Sequence, residues 1–348
     1  MKFDVIIGNP PYQEMTNTIG KKKNTVKTMP LYQEFIEKSL RITLKYCAMI
    51  VPARWYSSSI KTLEKLRDTL ISEGHLQYLV DYSNALECFE NVRIAGGVCY
   101  FLYNKEYTGN TEVTNIYNGL SNKKYRDLND YNIIVRDNVA IDIISKIKDK
   151  TNRYMIDYVE RNVFGINNTN ELDEEYEEEF KNYGGTSESY FNIEEYSNEI
   201  TLKSTVGNSI VKYEDVRRNK QLINKYKLII GKLLAGGGDH PVDKNGQMKI
   251  ISGIYSLPKG TICTDSYILI GYSDSKKYID NVEKYIKTKF VRFLIYSTLS
   301  GLNITDINFK FVPMLDFRTQ WDDEQLNKEF ELDQSEIDYI NKLIKAIE

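Results

Sequence analysis

The chain has 348 residues, 41% of them apolar and 27% charged, a balance that fits two packed domains better than one. Nothing approaches about eighteen consecutive apolar residues, and the first residues, MKFDVIIGNPPYQ, lack the length and charge pattern of a secretory signal, so a cytoplasmic protein without a membrane span is expected. Four cysteines without a CxxC pair and two histidines argue against a metal site or a disulfide scaffold, and a net charge of −3 announces no nucleic-acid partner by a global positive field, although an acidic remainder can hide a local basic patch in the sum.

The first third alternates strand-like and helix-like segments. Phe3 to Gly8 is an almost unbroken apolar run ending in glycine, the pattern of a strand buried on both faces and paired on both edges. Leu31 to Tyr46 spaces Leu31, Phe35, Ile36, Leu40, Ile42 and Leu44 as a helix would. Ala48 to Val51 is a second strand, closed by Pro52, and Ser59 to Ser72 is a helix burying Leu63, Leu66, Leu70 and Ile71. Leu76 to Tyr82 and Gly97 to Tyr103 read as two more strands. This β-α-β-α-β-β order predicts an α/β fold, a doubly wound sheet with helices packed on its faces.

A change of character follows near residues 120–135. Glu171 to Phe180 is densely acidic and reads as a solvated helix or loop. Beyond it, Leu228 to Ile230 and Ile262 to Gly271 are strand-like, while Tyr278 to Thr298 and Asp333 to Ile347 are helical, which predicts a mixed α+β second domain. The expected division is 1–125 and 126–348.

The chemistry-bearing element is Asn9-Pro10-Pro11-Tyr12, directly after the first strand. Open α/β sheets bind ligands at the carboxyl ends of their strands. Two successive prolines, Pro10 and Pro11, fix their φ angles and remove two backbone donors, so their carbonyls project from a stiff turn. Asn9 adds an amide carbonyl and Tyr12 an aromatic plate; two acceptors and a plate suit a planar ring that carries an amino group.

This tetrapeptide resembles the (D/N)PP(Y/F) catalytic motif of the adenine-N6 DNA methyltransferases of restriction–modification systems. The resemblance implies a partial doubly wound, Rossmann-like methyltransferase sheet, and a target adenine flipped out of the duplex. It implies that the Asn9 side-chain oxygen and the Pro10 carbonyl accept the two hydrogen bonds of the adenine amino group, aiming its nitrogen at the methyl of S-adenosylmethionine. Tyr12 would stack on the flipped ring. No acid–base pair is required, because positioning two reactants supplies most of the rate.

The resemblance extends to YCAMIVPARWYSS, Tyr46 to Ser58, and to the stretch from Leu79 to Asn104. Phe89 lies where the family often places a residue on the other face of the base, and it reads equally as a core residue. Arg93 and the Gly96-Gly97 pair either shape the same pocket or turn the chain. In the last third, Ile250 to Gly271, Tyr285 to Thr298 and Phe309 to Ile340 resemble the target-recognition domain of large restriction–modification proteins, which implies double-stranded DNA as partner. Candidate phosphate contacts are Arg217, Arg218, Lys220, Lys232, Lys289 and Arg292, with the Lys21-Lys22-Lys23 run; each also reads as a plain surface charge. The run Gly236-Gly237-Gly238 lacks a GK(S/T) ending and reads as a turn or a close approach to DNA backbone.

Family members carry a glycine-rich S-adenosylmethionine motif, F-x-G-x-G, well before this tetrapeptide, and the eight residues preceding Asn9 hold no equivalent. The cofactor site is therefore expected to be incomplete, and a partner polypeptide carrying the cofactor half is expected. A truncated longer enzyme is the second possibility. The third, from a different class, is a non-catalytic DNA sequence-recognition subunit.

Overall fold

The computed structural model describes residues 1–16, 27–92, 94–167, 199–234, 243 and 245–347. Its N-terminal part is a six-stranded mixed sheet. The elements are β1 (Phe3–Gly8), a ribbon of β2 (Gln13–Thr16) and β3 (Lys27–Pro30), α1 (Tyr32–Ile42), β4 (Thr43–Pro52), α2 (Lys61–Ile71), β5 (Leu76–Tyr82), β6 (Val98–Asn104), β7 (Thr111–Tyr117) and β8 (Leu120–Arg126). The sheet order is β1-β4-β6-β5-β7-β8. β1 runs parallel to β4 and β5 to β7, whereas β6 is antiparallel to both of its neighbours. The carboxyl ends of β1, β4 and β5 therefore meet at one edge of the sheet.

Alternation along the strands decides what each face holds. Cys47, Met49, Leu79, Phe101 and Val113 point to one face, where Ile36 and Leu40 of α1 and Leu63, Leu66 and Leu70 of α2 close over them. The opposite face leaves Val5, Ile7, Tyr78 and Tyr100 exposed. Two expectations are corrected here. Both helices pack on one face of the sheet, not on two. Among the described residues β1 pairs with β4 alone, and it exposes alternate residues, so there it is neither buried on both faces nor paired on both edges. A third correction concerns α1, which ends at Ile42, because Leu44 and Tyr46 belong to β4, where Tyr46 stands opposite Val5.

The rest of the described chain comprises α3 (Asn138–Lys150), β9 (Glu160–Arg161), β10 (Glu199–Lys203), β11 (Asn208–Lys212), β12 (Tyr226–Gly231), β13 (Ile254–Leu257), β14 (Thr261–Cys263), β15 (Tyr267–Ser273), α4 (Lys276–Lys287), α5 (Lys289–Ser297), α6 (Asp323–Glu329) and α7 (Gln334–Leu343). Its strands form two sheets, β13-β12-β15-β9 and β11-β10-β14. The unbroken apolar run of β12 has a simple cause. Leu228 and Ile230 face a helical core with Ile268, Ile279 and Val282, while Ile229 faces a second core with Ile200, Ile262 and Leu269. The helix expected over Tyr278 to Thr298 is broken at Thr288, which is extended (ψ 149°) and caps α5 by accepting from the Val291 amide at 3.3 Å. Among the described residues, no helix is long and apolar enough to cross a membrane.

Candidate active site

The Asn9–Tyr12 turn leaves the carboxyl end of β1 and enters the β2–β3 ribbon. The ribbon holds it in place, because the Leu31 amide donates to the Tyr12 carbonyl at 3.1 Å. Pro10 is buried, Asn9 and Pro11 are exposed, and Tyr12 is half-buried. Among the described residues no hydrogen bond engages the Pro10 carbonyl or the Asn9 side chain. Among the described residues both acceptors are therefore available to a ligand, and the two prolines hold their carbonyls on a stiff turn. Burial, with smaller contributions from Cys88 and Cys99, pushes the Tyr12 phenol up to about 12, so the ring stays neutral.

Two other loops reach the same edge. The exit of β4 is a tight turn in which Trp55 and Tyr56 are fully buried, their rings edge to face at 5.0 Å. The exit of β5 is the long loop from Ser83 to Gly97. Phe89 lies in it, half-buried, its amide donating to the Ala85 carbonyl at 2.9 Å. This loop leaves the carboxyl end of β5 and the Asn9–Tyr12 turn that of β1, so Phe89 and Tyr12 lie at the same end of the sheet. The cysteines near the site offer no nucleophile, since burial raises the Cys99 thiol to about 12 and shifts Cys88 in the same direction.

One buried guanidinium ties these loops together, and the sequence reasoning missed it. Arg136 Nε lies 3.0 Å from Asp81 Oδ2, both side chains almost wholly buried. Its Nη2 donates to the Gly96 carbonyl, and its charge sits 5.6 Å from the centre of the Tyr56 ring. Burial raises the Asp81 carboxyl, and Arg136 pulls it back. The backbone amide of Arg136 donates to Ser297 at 2.7 Å, at the end of α5. The following segment clamps the loops from outside. Ser57 donates to the Thr298 carbonyl at 2.7 Å, and a Cβ on Gly96 (φ 81°) would sit 2.3 Å from the Ser300 carbonyl oxygen. Gly96 thus serves a close approach of two backbones. A signal existed in the sequence: Asp81 interrupts the apolar run Leu79-Val80, and Arg136 follows Ile133-Ile134-Val135.

The candidate DNA contacts separate into three groups. Arg217 and Arg218 are exposed and Lys220 half-buried, together on one turn, with the Lys220 ammonium 4.3 Å from the centre of the Tyr213 ring. Lys232 and Lys289 lie elsewhere and are half-buried; the Lys289 ammonium is held at 3.0 Å by the Asn341 side chain. Arg292 is corrected. It is 1% exposed, and its guanidinium donates to the Lys287, Thr288 and Lys345 carbonyls, so it is a strut of the helical core and no phosphate contact. Lys21, Lys22, Lys23, Arg93, the acidic stretch from Glu171 to Phe180 and the run Gly236 to Gly238 fall outside the described residues.

Comparison with known proteins gives one match that is placed along the chain and several likenesses of partial coverage. Residues 1–89 match the model of the family described as Eco57I restriction-modification methylase. A protein of Mycoplasma pneumoniae described as an uncharacterized adenine-specific methylase is 40% identical over 111 residues, which cover 32% of this chain and 26% of that relative. Among solved structures, the type IIL restriction-modification enzyme MmeI in complex with DNA is matched over 86% of this chain and 44% of its own, at 11% identity and a TM-score of 0.46. A modification subunit of a putative type I restriction enzyme from Vibrio vulnificus is matched over 33% of this chain and 26% of its own, at 14% identity and a TM-score of 0.26. The likeness to the Eco57I restriction-modification methylase family thus covers residues 1–89, which include the Asn9–Tyr12 turn, and this chain spans about a quarter of the length of the curated relative it matches.

Proposed function

We propose that this chain is the adenine-holding part of a site-specific DNA adenine-N6 methyltransferase of a restriction–modification system. The observation that carries the reading is the turn itself: Asn9 and Pro10 present two unengaged acceptors beside Tyr12, at the edge where three strand exits meet. A flipped adenine would give both amino hydrogens to Asn9 Oδ1 and the Pro10 carbonyl. Its nitrogen lone pair would then leave conjugation with the ring and point in one direction. Tyr12 would stack on one face of the ring and Phe89 on the other. We read residues 1–125 as the catalytic part and 126–348 as the recognition part of a cytoplasmic protein that acts on double-stranded DNA.

The methyl donor implied by the resemblance is S-adenosylmethionine, and we read the described residues as an incomplete cradle for it. Beyond Asn9 the free edge of β1 is open, Ile7 is 80% exposed, and no strand or glycine turn faces that edge among the described residues. We assign the cofactor-holding role to a partner polypeptide that covers this edge, since a bare row of strand donors and acceptors is a template for pairing. The same open edge favours the second reading, a non-catalytic DNA sequence-recognition subunit. The two differ in one experiment. Asn9→Ala in the chain assayed with its partner should lower labelled-methyl transfer by about 10²–10³-fold, the scale of losing one preorganised polar contact, with DNA binding kept. Methylation retained by the variant sinks the enzyme reading.

A further inference from the structure

The turn that carries Arg217 and Arg218 is built unlike a mobile surface loop. Val216 on one side and Leu222 and Ile223 on the other are buried in the core between β10, β14 and β15. The amides of Arg217 and Arg218 both donate to the Phe164 carbonyl, at 3.1 and 3.3 Å. Asn219 adopts a left-handed conformation (φ 50°), and its side-chain amide donates to Glu160 Oε1 at 2.8 Å and to the Val163 carbonyl at 2.9 Å. Beneath it, the buried Lys227 ammonium donates to the Leu222, Ile223 and Lys225 carbonyls at 2.8, 3.0 and 2.6 Å. The backbone is pinned from every side.

The two arginine stems leave this turn over the same spot. A Cβ on Gly165 (φ 71°) would lie 2.9 Å from Arg217 Cβ, 3.5 Å from Arg218 Cγ and 3.7 Å from Arg218 Cδ. Both side chains are exposed, and no carboxylate engages either guanidinium among the described residues. Arg318, by contrast, is held by Asp316 through Nε at 3.0 Å and Nη2 at 2.7 Å. A phosphate contact tolerates a mobile tether, because it needs charge and little direction. Bidentate reading of a base edge needs the guanidinium fork delivered at a fixed place, and there a rigid turn whose two guanidinium groups meet no carboxylate among the described residues is an advantage.

We infer that Arg217 and Arg218 are specificity-determining residues that read guanine O6 and N7 in the major groove. This rests on the DNA methyltransferase reading and assigns the pair a role other than phosphate binding. Lys220, drawn onto the Tyr213 ring beside them, lies at the rim of the same turn.

The test uses the full chain. Its preferred duplex is selected from a random-sequence library, and binding is followed by fluorescence anisotropy across a salt series. Arg217→Lys and Arg218→Lys keep the charge and remove the fork. Each should weaken binding to the preferred duplex by about 5- to 150-fold. Each should leave affinity for duplexes lacking one particular G·C pair unchanged, with the salt slope also unchanged. Gly165→Ala, which pushes on the Arg217 stem and only touches that of Arg218, should relax the position that Arg217 reads. Equal weakening on all duplexes, or no change at all, overturns the assignment while leaving the DNA reading intact. A wild-type chain that selects no sequence overturns the assignment and the recognition role together.

Discussion

β1 and β12 are close to the same strand in sequence and opposite in circumstance. One reads Phe3-Asp4-Val5-Ile6-Ile7-Gly8 and the other Tyr226-Lys227-Leu228-Ile229-Ile230-Gly231, each an aromatic, a charge, three aliphatics and a glycine. β12 is paired on both edges, by β13 and β15, and Leu228, Ile229 and Ile230 are wholly buried between two cores. β1 is paired on one edge, and Val5 and Ile7 face water. The pattern of apolar residues tells what environment a strand suits; the pairing tells how much of that environment this chain supplies. At β12 it supplies all of it. At β1 it supplies one neighbour and one covered face, next to the turn on which the proposed chemistry depends.

The comparison can be broken or sharpened by substitution. The largest effect is expected at the clamp behind the site, where Arg136→Met strands the buried Asp81 carboxylate. A loss of about 3–5 kcal/mol in urea-unfolding stability is expected, the scale of breaking a buried ion pair from one side. A loss below about 1 kcal/mol would show that the pair is not the structural tie between the loops. Next comes the matched pair of isoleucines. Ile230→Ala should cost about 2–5 kcal/mol through the cavity it opens. Ile7→Ala in the chain alone should stay within about 0.5 kcal/mol, as for a surface change, and should instead weaken association with the partner. Equal losses at the two positions would mean that the open face of β1 is covered within this chain.

A smaller effect is expected from the charged residues of the two strands. Burial lowers the Lys227 ammonium from 10.5 to about 7, against the pull of three carbonyls. Between those values the unfolded chain holds a proton that the folded chain lacks. Stability should therefore rise as pH climbs from about 7 towards 10.5, by at most about 1.4 kcal/mol per unit, with the full burial cost present below pH 7. Lys227→Met should flatten that rise relative to wild type in thermal melts between pH 7 and 9. An unchanged difference between the two proteins across that interval would mean that Lys227 stays charged.

The sequence was legible where one physical signal dominated. The proline-stiffened turn, α2 with its Leu63, Leu66 and Leu70 stripe, and β5 all stand where their patterns put them. Legibility failed where two signals competed. Leu44 and Tyr46 fit helical spacing as well as strand alternation, and the pairing of β4 with β1 and β6, which gives Tyr46 the partners Val5 and Asn104, decides between them. Arg292 looked like one of several basic residues, yet its place on the inner side of α5 turned its donors onto backbone carbonyls. The clamp was invisible for a further reason: Asp81 and Arg136 are far apart in the chain, and only the folded edge brings them within 3.0 Å.

The most direct measurement is labelled-methyl transfer from S-adenosylmethionine to unmethylated double-stranded DNA. It would compare this chain alone with the chain mixed with the product of the neighbouring reading frame. The account predicts no transfer by the chain alone and transfer by the mixture, lowered by about 10²–10³-fold when the chain carries Asn9→Ala. Transfer by the chain alone, or undiminished transfer by a mixture containing the Asn9→Ala variant, would contradict it.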